Sequence, residues 1–198
     1  SLFEQTLDDI EFIFLDDCSP DKSMDILGQI IEEYRPSLAE KKHVVRIERM
    51  QMNSGQAAVR KHGIQLCTGD YVIHCDSDDW VDVNMYKILY DKAIEGNYDM
   101  VRCNFARTDG YNVSICIQLP SDCYENPERL ISYALIGFDL TSTCDKVFKR
   151  TLYHSDIQFP KYNMQEDAAL VIQLLCRCKR CAFVSQIGYY YYINPNSI

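Results

Sequence analysis

The sequence predicts an α/β fold, with a mostly parallel sheet flanked by helices and a mixed second half. Three observations carry this. Short apolar runs at Glu11–Leu15, His43–Ile47 and Tyr71–Ile73 read as strands, the first as one buried on both faces. Segments of helical period and length separate them, which is the rhythm of βαβ units. Two of the strands then run into carboxylates, Asp16-Asp17 and Asp76-Ser-Asp78-Asp79, at the end where open α/β sheets hold ligands.

Taken in order, Ser1–Leu7 reads as the tail of a helix, and Glu11–Leu15 as the first strand. Ser19–Ser23 offer turn chemistry and a helix start; Met24, Leu27, Ile30, Ile31 and Tyr34 follow at helical spacing, and Pro36 is expected to end that helix. His43–Ile47 is a strand, Asn53-Ser-Gly55 a turn, and Ala57–Leu66 a helix closed by Thr68-Gly69. After the strand Tyr71–Ile73, Val81–Ile94 is predicted helical, with Gly96-Asn97 as its stop. Asp99–Phe105 is a strand that Arg102 and Asn104 interrupt. Tyr111–Leu119 is strand-like, Pro127–Ile136 a helix with Pro at its first position, Asp145–Tyr153 mixed, Met164–Cys176 helical and Phe183–Ile193 a tyrosine-dense strand.

The chain has 198 residues, enough for a substantial core in one domain. With 47% hydrophobic and 25% charged residues it is compositionally globular. A net charge of −9 argues against nucleic acid as a broad partner, because phosphate binding needs a basic footprint. One bound nucleotide remains compatible with it, since a metal can neutralise that charge. No segment approaches the roughly 20 apolar residues that span a bilayer, and no signal peptide is recognisable. Ten cysteines lie mostly inside apolar runs, which fits a reducing cytosolic compartment. The cluster Cys176-Arg-Cys-Lys-Arg-Cys181 lacks a second ligand pair and reads as structural thiols.

The stretch Gly69-Asp-Tyr-Val-Ile-His-Cys-Asp-Ser-Asp-Asp-Trp80 carries the strongest chemical signal. Three carboxylates in four positions repel one another, and a divalent cation is the simplest group to offset them. A solvated acidic loop or a helix N-terminus explains the same residues, and the stretch alone does not choose. Gly55 would let backbone approach a ligand. Arg60 offers a forked donor for phosphate or a base edge, or else a solvated helix-face charge. Glu166-Asp167 opens an apolar helix, where acids also suit the dipole. His74 is read as sheet packing, and Trp80 as a cap on the core under the loop, with sugar stacking as the other reading.

In their order and spacing these motifs resemble the family 2 inverting glycosyltransferases with a GT-A fold. The matching stretches are Phe12-Ile-Phe-Leu-Asp-Asp-Cys-Ser-Pro-Asp21, Asn53-Ser-Gly-Gln-Ala-Ala-Val-Arg-Lys-His-Gly63, Gly69–Asp79 and Glu166-Asp167. Further likeness lies in Cys144-Asp-Lys-Val-Phe-Lys-Arg150, Ile157-Gln-Phe-Pro160 and the ending Tyr190-Tyr-Tyr-Ile-Asn-Pro-Asn-Ser-Ile198. The resemblance implies one glycosyltransferase domain over residues 1–198, with 1–105 as the nucleotide-sugar half and 106–198 as the acceptor side. It implies that Asp17 contacts the nucleotide, with Asp16 beside it, and that Asn53 and Arg60 face the nucleotide. Asp78 would coordinate Mn²⁺ or Mg²⁺ at the diphosphate, Asp76 would contact ribose or metal, Asp79 would orient the donor sugar, and Asp167 would be the catalytic base.

The implied donor is a UDP-sugar or related nucleotide-sugar, and the acceptor a saccharide or lipid-linked molecule in polysaccharide or cell-surface glycan synthesis. A cytoplasmic protein at the inner face of a membrane, peripherally associated and homodimeric, is compatible with such acceptors. Two departures from the family pattern stand out. Glu4-Gln-Thr6 matches a pair at the end of the family's first helix, so the usual first strand is absent from this chain. Val59-Arg60-Lys61 replaces the usual Ala-Arg-Asn. A sugar nucleotidyltransferase and a non-catalytic nucleotide-sugar-binding module remain the rival readings.

Overall fold

The computed structural model describes residues 1–116, 125–136, 141–161 and 165–193. The expected strand end at Leu119, the helix start at Met164, Cys123 and the residues after Ile193 lie outside this set. The chain forms two compact units: a smaller one of Leu7–Gly69 with Gln158–Glu166, and a larger one of Ser1–Thr6, Asp70–Ile157 and Asp167–Ile198.

In the smaller unit the described residues form a parallel pair, β1 (Glu11–Asp16) and β2 (Val44–Arg49), in register from Glu11 opposite Val44 to Asp16 opposite Arg49. Helix α1 (Ser23–Glu40) makes the crossover a parallel pair requires. Pro36 does not end it, contrary to expectation; the helix runs one further turn to Glu40. A proline inside a helix costs about 3 kcal/mol, and here the extra turn buries Leu38, only 5% exposed. The carbonyl of Leu38 also accepts from His43 N–H at 2.8 Å, which fixes the exit into β2. Helix α2 (Gln56–Leu66) lies close on β1: a Cβ added at Gly63 would stand 2.6 Å from Leu15 Cδ1.

The larger unit holds β3 (Tyr71–Ile73), β4 (Trp80–Val81), β5 (Met100–Thr108), β6 (Val113–Ile115), β7 (Lys146–Lys149) and β8 (Cys181–Tyr192). Its sheet order is β3-β7-β5-β8-β4, with β6 on β5. The described pairs are parallel only for β5–β8, so this sheet is mixed rather than mostly parallel. The reason lies in β7. It inserts between β3 and β5 and runs antiparallel to both, so those two keep the parallel sense their rhythm predicts but are not neighbours. Among the described residues the remaining α-helices are α3 (Met85–Gly96), α4 (Pro127–Leu135) and α5 (Glu166–Leu175).

Local chemistry explains the remaining differences. Val81 belongs to β4, paired with Tyr189, so α3 starts at Met85 rather than Val81. Its stop is Asn97 in the left-handed conformation, φ 48°, while Gly96 stays helical. Arg102 and Asn104 do not interrupt β5. Both are buried; Arg102 pairs with Asp145 at 3.1 Å, and Asn104 Nδ2 donates to Ser185 O at 2.7 Å where the β5–β8 register shifts. Met100, Val101, Phe148, Val171 and Leu174 are fully buried at the core, each apolar side chain contributing about 1.5–3 kcal/mol.

Candidate active site

In the smaller unit, β1 delivers Asp16 and Asp17 at its carboxyl end. Asp16 is 2% exposed; its Oδ1 accepts from Ser19 N–H at 2.8 Å, and Arg49 on β2 pairs with Oδ2 at 3.1 Å. The Ser19 N–H hydrogen bond holds its carboxyl below the usual carboxylate range. Cys18, at φ 63°, turns the chain so that Asp17 can reach the 53–55 loop. Asp17 accepts from Ser54 N–H at 2.7 Å and Gly55 N–H at 2.8 Å, and Asn53 Nδ2 donates to Asp17 O at 3.1 Å. Gly55 itself sits at φ 80°, a conformation that suits glycine, and leads into α2. Thus Asp17, Asn53 and Gly55, separated by over thirty positions, form one bonded loop pair.

Arg60 on α2 is 6% exposed and donates to Glu166 Oε2 at 2.8 Å, with Glu166 also 6% exposed. The solvated helix-face reading of Arg60 therefore fails. Sequence reasoning missed Glu166 as its partner, although a lone buried arginine demands a buried acid.

In the larger unit, β3 delivers Asp76, Asp78 and Asp79. The turn closes through Asp79 N–H to Asp76 O at 3.3 Å. Asp79 is locked: Tyr189 Oη donates to its Oδ2 at 2.5 Å, and Tyr192 N–H to its Oδ1 at 2.7 Å. Tyr189 Oη also accepts from Asp76 N–H at 3.1 Å, so one buried hydroxyl ties both ends of the turn. Burial raises the Asp79 carboxyl above its ordinary value, with the neighbouring Asp78 and Asp76 charges adding to the rise. Burial likewise pushes the Cys75 thiol up to about 12, which makes it inert packing. Asp78 is exposed and Asp76 half-buried.

The segment after the turn is anchored by the Gln5-Thr6 pair. Gln5 is fully buried; its Nε2 donates to Asp82 O at 2.7 Å and its Oε1 accepts from Tyr86 N–H at 3.1 Å. Thr6 Oγ1 donates to Asn84 Oδ1 at 3.0 Å. Trp80 does not cap the core. It is 36% exposed and stacks on Tyr190, its cross-strand neighbour, at 5.7 Å. His74 packs edge-on to Tyr153, with Nε2 3.3 Å from its Oη. At the start of α5, Asp167 Oδ1 accepts from Thr143 Oγ1 at 3.0 Å.

Among the described residues no group of three or more His, Cys, Asp or Glu side chains gathers as a metal cage. Asp76 and Asp78 are still a fitting donor set. A Mg²⁺-type ion takes hard oxygen donors and binds through one or two carboxylates, with substrate phosphates and water completing its shell. The described cysteines carry free thiols, with Cys178 and Cys181 buried.

The mixed sheet of the larger unit, with carboxylates at the end of β3, fits a GT-A glycosyltransferase fold. Similarity to solved structures supports that fold. Staphylococcus aureus TarS 1–349 in complex with UDP-GlcNAc superposes with a TM-score of 0.74 at 19% identity, covering 99% of this chain and 54% of that one. The mannosyltransferase PcManGT from Pyrobaculum calidifontis, in complex with GDP-Man and Mn²⁺, gives 0.67 at 16% identity, covering 99% and 52%. The sequence model of glycosyl transferase family 2 matches residues 1–157, and the chain belongs to that family. Among curated relatives, a poly(ribitol-phosphate) beta-glucosyltransferase of Bacillus spizizenii is 28% identical over 98% of this chain and 29% of its own length. A cholesterol galactosyltransferase of Borreliella burgdorferi is 31% identical over 96% of this chain and 53% of its own. The chain spans between 28% and 57% of the length of the first five curated relatives. Among the described residues no helix is long and apolar enough to cross a membrane.

Proposed function

We propose that this chain carries the transfer site of a metal-dependent inverting glycosyltransferase. It moves a sugar from a nucleotide-sugar, best read as a UDP-sugar, to a saccharide or lipid-linked acceptor of a cell-surface glycan. The supporting observation is the Asp76–Asp79 turn: it is locked from behind by Tyr189 and Tyr192, while Asp78 stays exposed at the end of β3. A fixed turn with an outward carboxylate is what a diphosphate–metal clamp requires. Names among the relatives point the same way for the acceptor: poly(ribitol-phosphate) for one, cholesterol for another.

Residues 1–105 serve the donor and 106–198 the acceptor. Asp16, Asp17, Asn53 and Arg60 form the nucleotide side. Asp76 and Asp78 would hold Mn²⁺ or Mg²⁺, which when bound supplies Lewis-acid stabilisation of the leaving diphosphate. Asp79 orients the donor sugar through the turn it fixes. Asp167 takes the proton of the acceptor hydroxyl as that oxygen attacks. One carboxylate on the face opposite the leaving group gives a single in-line displacement, hence inversion.

The test is a panel of UDP-, GDP- and dTDP-sugars read by thermal shift with Mn²⁺, since a ligand of the folded state raises stability by mass action. Product analysis follows with poly(ribitol phosphate) and glycolipid acceptors. Free UDP with a glycosylated acceptor supports the proposal. Release of pyrophosphate instead marks a sugar nucleotidyltransferase, and binding without any product marks a non-catalytic module.

A further inference from the structure

The larger unit buries an expensive cluster of charges outside the donor turn. Asp145 is fully buried; its Oδ1 accepts from Lys146 Nζ at 2.5 Å and Ser142 Oγ at 2.8 Å, and its Oδ2 pairs with Arg102 at 3.1 Å. Lys146, 2% exposed, also donates to Ser142 O at 2.7 Å. Buried ion pairs often do no better for stability than apolar residues of the same volume, so packing alone does not explain this one. What the cluster does fix is the backbone of 142–146. Ser142 is held through both its carbonyl and its hydroxyl, and Lys146 N–H closes on Thr143 O at 3.4 Å.

On that pinned turn Thr143 is fully buried, and its single hydroxyl proton points to the carboxylate of Asp167. A carboxylate rotates in a broad torsional well, so its own rotamer preference does not set its plane. An immobile donor does. Building on the reading of Asp167 as the base, we propose that Thr143 is a positioning residue: its hydroxyl, held in place by the Asp145 cluster, sets the plane of the Asp167 carboxylate for proton abstraction from the acceptor. The hydrogen bond also favours the charged carboxylate, the form a base needs.

The test compares Thr143→Val, Thr143→Ser and Asp167→Asn in the full chain, using the donor and acceptor that turn over in the assay above. Thr143→Val keeps the shape and deletes the proton donor. Its kcat should fall about 10- to 100-fold, the scale of a misplaced catalytic group, with donor KM unchanged. The acid limb of its pH–rate profile should move to higher pH. Thr143→Ser, which keeps the hydroxyl, should hold kcat within about 3-fold of wild type and leave the limb in place. If Thr143→Val lacks a cooperative melting transition, Thr143→Ala against Thr143→Ser makes the same comparison. Wild-type kcat and pH limb in Thr143→Val beside an inactive Asp167→Asn overturn the inference alone. A serine variant as impaired as the valine one also overturns it. Full transfer by Asp167→Asn overturns the proposed function, and this inference with it.

Discussion

The two acidic strand ends carry the same local signature and are secured by opposite means. At the end of β1 the anchors are backbone N–H groups of nearby loops: Ser19 on Asp16, and Ser54 and Gly55 on Asp17. At the end of β3 the anchor of Asp79 is a strand 110 positions away, through a side-chain hydroxyl and one backbone N–H. The β1 loop is therefore held by backbone N–H groups, one from its own turn and two from the 53–55 loop, with that of Ser54 exposed. The β3 turn exists only once β8 is in place, and its hydroxyl anchor is buried.

The electrostatics differ in sign as well. The Asp16 carboxyl lies below its ordinary range because Ser19 N–H and the Arg49 charge favour the anion. Asp79 lies above it because burial and neighbouring acids disfavour the anion. One loop is held more firmly as a charge and the other is charged at a cost.

Four experiments test this contrast, from the largest effect down. Within the smaller unit, Arg60→Ala removes one partner of a buried ion pair and should cost about 3–5 kcal/mol in urea unfolding. A loss below about 1 kcal/mol would mean that the Arg60–Glu166 pair does not hold the smaller unit together. Next, calorimetry of UDP with and without Mn²⁺ should show that Asp78→Ala loses about 100-fold in the metal-dependent part, roughly 2.8 kcal/mol. Asp17→Ala should weaken binding equally in both conditions. Identical metal dependence in the two variants would erase the distinction between the loops.

Third, Tyr189→Phe deletes the hydroxyl that serves Asp76 N–H and Asp79 together. It leaves buried polar groups unmet at a cost of about 1–3 kcal/mol. Asp17→Asn should cost less in stability, because water can reach the exposed Ser54 N–H it releases. Equal losses would remove the difference between buried and exposed anchoring.

The smallest effect is the pH dependence. The raised Asp79 carboxyl contributes stability that is fully present below its unfolded value and is lost as pH rises through its folded value. The lowered Asp16 carboxyl contributes stability present above its unfolded value and lost as pH falls through its folded value. Melting temperatures from pH 3 to pH 7, as a rough window around the ordinary carboxylate values, should therefore show Asp79→Asn gaining on wild type toward neutral pH. Asp16→Asn should lose most at neutral pH and approach wild type in acid. A constant offset for either variant would count against the assigned sign.

Much of this was legible in the chain because its signals are local. An apolar run followed by acid marks a strand end whatever it packs against, so β1, β2, α2 and β3 fall close to their predicted bounds. The motif order identified the family for the same reason, since each motif is a short contiguous stretch. What the sequence alone did not yield depends on groups meeting from afar. Periodicity cannot show that β7 inserts between β3 and β5, because pairing direction is not encoded in any one segment. Arg102 and Asn104 looked like breaks in a strand because their partners, Asp145 and the Ser185 carbonyl, lie dozens of positions away. Pro36 looked like a helix end because the burial of Leu38, which offsets part of its cost, is a tertiary event.

The acidic turn shows the division most clearly. The sequence by itself determined that three carboxylates crowd the end of β3, a fact of composition and spacing. Only the tertiary structure decided which of them is spent on the scaffold. Tyr189 and Tyr192 occupy Asp79, and Asp78 is left exposed. A hydrogen bond between residues 110 apart forms only after the sheet has brought their strands together.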